Sequence, residues 1–135
     1  MRNFRTSNFT PLVALLALVS IATGEFALSA EPEVRRGIVF AEASGQKLAL
    51  DLHLPGGDAV RPLIVWVHGG AWRAGSRTEM PLGALVRDGF AVASVDYRLS
   101  PVARFPAQVH DIKAAIRLLR SRAAEFRIEI GRAHV

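Results

Sequence analysis

The period of apolar and polar positions changes several times along the chain, and each change marks an element. Pro11 to Ala22 (PLVALLALVSIA) is uncharged and apolar throughout, about a dozen residues long. That is too short to cross a bilayer and suits the core of a secretory signal. From Val34 the period falls to two. Val34–Ala41 and Lys47–Leu54 flank Ser44-Gly45-Gln46, a turn signal at hairpin spacing, which predicts an antiparallel strand pair. In the second strand Leu48, Leu50, Leu52 and Leu54 alternate with Ala49, Asp51 and His53, so one buried face and one wet face are expected. Leu63 to His68 is a β-branched and aromatic run, the pattern of a buried strand. A helix is expected over Met80–Asp88, capped by Ser76 or Thr78 and closed by Gly89. Phe90–Val95 is a further buried strand. Strand, helix and strand in about 35 residues define a parallel βαβ unit with a right-handed crossover. Beyond the proline-punctuated loop Leu99–Ala107, Val109, Ile112, Ile116, Leu119, Ala123 and Phe126 recur at three- and four-residue steps. They predict a helix with its apolar stripe on the sheet. Asp111, near that helix's N-terminus, is placed to pair with Arg98.

Composition narrows the class. The 135 residues allow one small domain, and a chain half hydrophobic and a fifth charged is globular. Setting aside the first thirty residues removes Arg2, Arg5 and Glu25 and lowers the net charge from +5 to +4. The bases are scattered except for Arg117, Arg120 and Arg122 on one helix, and no aromatics interleave them, so a nucleic-acid partner is not expected. There is no cysteine, hence no disulfide, thiolate nucleophile or thiolate metal site. No metal or cofactor is expected. Arg2 and Arg5 precede the apolar segment and small residues follow it, so residues 1–30 read as a signal peptide cleaved after Ser29 or Ala30. The mature chain is then secreted or periplasmic, without a stable membrane span.

The candidate chemistry lies where the Leu63–His68 run meets Gly69 and Gly70. In an open parallel sheet, ligands bind beyond the carboxyl ends of the strands. Two glycines there leave backbone N–H groups unshielded and able to aim at one oxygen, as an oxyanion hole requires. A plain chain-reversing Gly-Gly turn has the same sequence. His53 and His110 read as surface residues, and Ser76 as a loop hydroxyl or cap.

Four motifs together carry a resemblance: HGGAW at 68–72, DYRLSP at 96–101, FPAQ at 105–108 and DIKAAIRLLR at 111–120. In this order and spacing they resemble the α/β-hydrolase superfamily. Within it they are similar to the esterase/lipase branch with an HGG loop, including acetyl-xylan and feruloyl esterase-like enzymes. The match covers roughly residues 34–128. It implies an α/β fold built from an antiparallel hairpin, a parallel βαβ unit and a further helix, forming the N-terminal portion of a hydrolase sheet. It implies backbone N–H donors at Gly69, Gly70 and Ala71, and substrate contacts from Trp72 and Tyr97. His68 would shape the loop rather than act as a base. The substrate would be a small-molecule or polysaccharide-linked ester.

The family's nucleophile is the serine of a G-x-S-x-G turn, followed by an acid and a histidine. That pattern is absent here; Ser44 and Ser94 lack the flanking glycines. The chain is therefore expected to be a hydrolase fragment, residues 31–128, with the oxyanion loop but no nucleophile, acid or base. Its last seven residues, 129–135, back-translate to GAG ATC GGA AGA GCA CAC GTC, which looks like sequencing-adapter read-through and is expected to be a non-native tail. Four strands and two helices leave an exposed sheet edge beside Leu63–Val67. Two alternatives stand beside the ester hydrolase. HGGAW also fits the HGGxW pattern of arylformamidases, and a non-catalytic binding protein of the same fold would equally lack a triad.

Overall fold

The computed structural model describes residues 31–131. Residues 1–30, where a signal segment is expected, and the last four residues, 132–135, lie outside the described residues. Five strands form one sheet in the order β1-β2-β4-β3-β5. β1 (Glu33–Ala43) and β2 (Gln46–Leu54) are the expected hairpin. Its turn is two residues, Ser44 and Gly45, both with positive φ (54° and 70°), the backbone that matches the twist of the flanking strands. β2 is antiparallel to β4 (Ala91–Val95), and β4 is parallel to β3 (Arg61–Val67). The expected βαβ unit therefore forms, with β4 fully buried between β2 and β3.

The helix between β3 and β4 is shorter than the pattern predicts. A single 3₁₀ turn, Arg77–Glu79, is capped by the Ser76 side chain, which accepts from the Thr78 N–H at 3.2 Å. α1 then covers only Gly83–Arg87. Pro81 breaks the span, because it has no N–H to donate and its ring disfavours helical backbone at Met80. The predicted stop holds. Gly89 at φ 97° donates to the Val86 carbonyl (3.1 Å), and the Phe90 N–H donates to the Leu85 carbonyl (3.0 Å), a paired C-terminal closure.

α2 (Ala107–Ser121) lies against the sheet. Its fully buried positions are Gln108, Asp111, Ala115 and Leu119, while Ile112 and Ile116 are half-buried. The inward face is thus turned by about one residue from the predicted stripe. The polar members each have an inner partner: Gln108 Nε2 donates to the Ala103 carbonyl at 2.7 Å, and Asp111 receives Arg98. Polar groups so satisfied are buried at little cost. α3 (Ala123–Phe126) ends at Arg127 in left-handed backbone (φ 53°), and the chain enters β5 (Ile128–Glu129).

β5 settles beside the start of β3, pairing Arg61 with Ile128 and Pro62 with Glu129 in parallel. This strand and α3 raise the count above the four strands and two helices expected. Beyond Pro62, residues 63–67 of β3 have a ladder partner on the β4 side alone, among the described residues. The open edge therefore lies where the sequence places it. The core beneath consists of Leu50, Leu52, Leu54, Leu63, Val65, Ala91, Ala93, Val95, Ala115, Leu119, Phe126 and Ile128. Among the described residues no helix is long and apolar enough to cross a membrane.

Candidate active site

β3 delivers the chain at its carboxyl end into His68-Gly69-Gly70-Ala71-Trp72. The path there is tight. Gly70 has φ 105°, and a Cβ on it would strike the Ala74 carbonyl. Gly75, at φ 99°, has no room for a Cβ against His68 Nδ1 or the Gly69 carbonyl oxygen. Ala71 and Trp72 also have positive φ, 52° and 63°. Such backbone in non-glycine residues holds only where its surroundings fix it.

Three carbonyls in succession are held. The Tyr97 hydroxyl donates to the His68 carbonyl at 3.0 Å. His68 Nδ1 lies 2.9 Å from the Gly69 carbonyl; since a carbonyl can only accept, Nδ1 carries the proton. The Gly70 carbonyl accepts from the N–H groups of Arg73 (2.9 Å) and Ala74 (3.1 Å). The N–H groups of Gly69, Gly70 and Ala71 have no protein acceptor among the described residues, and all three residues are exposed. In a trans peptide C=O and N–H point opposite ways, so carbonyls held by the protein leave the N–H groups facing outward.

His68 is 4% exposed and stacks flat on Tyr97, with ring centroids 4.3 Å apart at 11°. Trp72 meets the same tyrosine edge-on at 5.3 Å. Tyr97 is itself buried, and burial pushes its phenol pKa up. Its ring joins His68, Gly69, Ala71 and Trp72 around a shallow depression. Trp72 is half exposed and also borders a cleft of about 300 Å³ with Ala71, Arg73, Ser100, Phe105, Gln108 and Val109. Glycine loop, Trp72 and Tyr97 are thus brought together. His53 and His110 stand apart: His110 is exposed, and His53 is half-buried with its pKa lowered by burial.

Two charge arrangements fix the surroundings. Arg98 clasps Asp111 at both oxygens, Nε to Oδ2 and NH2 to Oδ1, each 2.8 Å, and its backbone N–H adds a third bond at 3.0 Å. The sequence anticipates this pair. It does not anticipate Arg77. That guanidinium reaches Asp51 through Nε at 3.0 Å and Asp96 through NH1, and the Arg77 N–H donates to Asp96 Oδ1 at 2.9 Å. Desolvation works to lower the Arg77 pKa, and the bonds to Asp51 and Asp96 outweigh it and raise it. Asp51 is 1% exposed, so the expected wet face of β2 is buried as well. The 3₁₀ turn covers it, and Asp51 also accepts from Gly37 N–H (2.7 Å), where β1 bulges at positive φ. One signal was available: an aspartate alternating with leucines in a strand. Among the described residues no three histidine, aspartate or glutamate side chains converge as a metal site would need.

A hairpin leading into a parallel βαβ unit, with a glycine loop at the carboxyl end of β3, defines the N-terminal part of an α/β-hydrolase of the esterase type. A family model described as BD-FAE matches residues 50–135, and the chain belongs to that family. The chain is 37% identical over 68 residues to Esterase LipC of Mycobacterium tuberculosis and 40% identical over 70 residues to an arylesterase of Saccharolobus solfataricus. Those segments cover 48% and 50% of this chain, but 17% and 23% of the relatives, so the chain spans about a fifth of their length. Among solved structures, a bacterial heroin esterase superposes with TM-score 0.65 at 29% identity, covering 76% of this chain and 34% of the other. A truncated carbohydrate esterase from gut microbiota gives 0.63 at 32%, covering 78% and 39%.

Proposed function

We propose that the chain is the oxyanion-stabilising portion of a secreted serine carboxylic-ester hydrolase. The observation that carries this reading is the row of outward, unpaired N–H groups at Gly69, Gly70 and Ala71 at the carboxyl end of β3. Attack of a serine on an ester carbonyl builds negative charge on its oxygen, and preorganised N–H donors stabilise that charge without reorganising during the step. Collapse expels the alcohol and leaves an acyl-enzyme, which water then hydrolyses through the same oxyanion. Trp72, half exposed beside the loop, supplies an apolar wall for the acyl or alcohol group, and the Tyr97 ring backs it. The substrate class is a small-molecule or polysaccharide-linked ester. The relatives' names favour an ester over a formamide.

Nucleophile, acid and base belong downstream in this scheme. β5 begins the strand that precedes the nucleophile, and the G-x-S-x-G turn follows within roughly 15 residues of Ile128. Recovering the 3′ end of the source gene tests this and tests whether Glu129–Val135 is native. The reading expects that turn in frame and hydrolysis of short aryl esters, with little activity on formyl amides. A frame without it removes the enzyme reading. Export through residues 1–30 is checked by sequencing the N-terminus of the secreted protein, which should start at Ala30 or Glu31.

A further inference from the structure

We infer that Tyr97 is a positioning residue for catalysis: its hydroxyl, by holding the His68 carbonyl, aims the Gly69 N–H at the oxyanion. The inference deepens the oxyanion-loop reading and rests on it. Of the three peptide units that present N–H groups, two are held from within the loop. His68 Nδ1 holds the Gly69 carbonyl, and the Arg73 and Ala74 N–H groups hold that of Gly70. The first unit, His68–Gly69, is held by a side chain from another element, the segment leaving β4. Because a peptide unit is planar and trans, a carbonyl oxygen fixed on one side sets the direction of the N–H on the other. The Tyr97 ring has little freedom to release it, being 3% exposed and packed against His68 and Trp72. Its hydroxyl faces the backbone and not the cleft, so its contribution passes through Gly69 rather than through substrate.

The test uses the complete esterase encoded by the source gene. Tyr97→Phe keeps the ring and deletes the donor. The expected result is a fall in kcat of about 10- to 100-fold, smaller than the 10²–10³ typical of losing one oxyanion donor outright. KM should stay within about twofold, because the lost interaction belongs to the transition state. A second arm installs 3,5-difluorotyrosine at position 97, whose more acidic hydroxyl ceases to donate at a lower pH. There kcat should decline along the alkaline limb earlier than in the native enzyme, which a purely packing role would not produce. This arm decides the matter if Tyr97→Phe fails to fold. Unchanged kcat in a folded Tyr97→Phe variant, or coincident alkaline limbs, overturns the inference. A crystal structure of the native enzyme carrying a covalent phosphonate separates the two readings. A phosphonyl oxygen bonded to the Gly69 and Gly70 N–H groups upholds the oxyanion reading whatever Tyr97 does; an oxygen bonded elsewhere removes both.

Discussion

At Gly70 the loop leaves no room for a side chain. Its φ of 105° is costly for any L-residue, and a Cβ would overlap the Ala74 carbonyl. If the loop works as proposed, Gly70→Ala in the full-length protein should lower kcat/KM for an ester by at least about 100-fold, the cost of one displaced oxyanion donor, with KM little changed. A neutral result in steady-state assays would mean that the loop tolerates another path. His53 sets a second expectation at this scale. Burial lowers its pKa most, Arg36 reinforces that, and the charge on Asp51 opposes it. The unfolded chain therefore binds the proton more readily than the folded one. Stability is full above the ordinary value of about 6.5 and is lost as pH falls from there through the folded value. The thermal midpoint should drop as pH falls below about 6.5, and His53→Gln should flatten that slope. An unaltered slope would assign the acid loss to other groups.

Between β3 and β4 the connecting segment depends on charge pairing more than on helix propensity. α1 is five residues long, too short to hold itself. Arg77 ties the preceding turn to Asp51 on β2 and to Asp96 after β4. Removing one partner of a buried pair costs more than the pair is worth, because the remaining charge loses its compensation. Arg77→Ala in the full-length protein should therefore reduce the free energy of unfolding by about 3 kcal/mol, near the lower end for such deletions. Urea denaturation measures it. Asp111→Ala, which removes the partner of Arg98 from the first turns of α2, should cost at least as much, since Asp111 is the more enclosed of the pair and accepts three bonds. If either variant unfolds with the native midpoint and slope, the network is ornamental.

For the molecule as a whole, the governing feature is the β3 edge. Leu63 and Val65 are core residues, yet from residue 63 to 67 the outer side of the strand has no ladder partner among the described residues. An apolar edge of this kind invites pairing with another chain, and about 100 residues build only a modest core. Residues 31–135 expressed alone should elute from a sizing column as mixed oligomers and bind a hydrophobic dye. A monomer with a cooperative thermal transition would contradict this.

Much of this was legible from short-range pattern. The period-two run and Ser44-Gly45 specify the hairpin, Gly89 stops α1, and HGGAW marks the loop, because each depends on the backbone needs of a few neighbouring residues. The Arg98–Asp111 pair was readable as well, since Arg98 closely follows β4 and Asp111 stands near the start of the next long helix. Other features arose only in three dimensions. Arg77 is 26 residues from Asp51 and 19 from Asp96, and no periodicity links them. Its arrival buries the second face of β2, which alternation alone assigns to water. The one-residue turn of α2 follows the same rule, as Arg98 and the Ala103 carbonyl draw Asp111 and Gln108 inward. Tyr97 shows the division within one side chain. Its place near the loop is what the family resemblance implies; the partner of its hydroxyl was decided by packing, since a buried donor takes whichever acceptor the fold brings within reach.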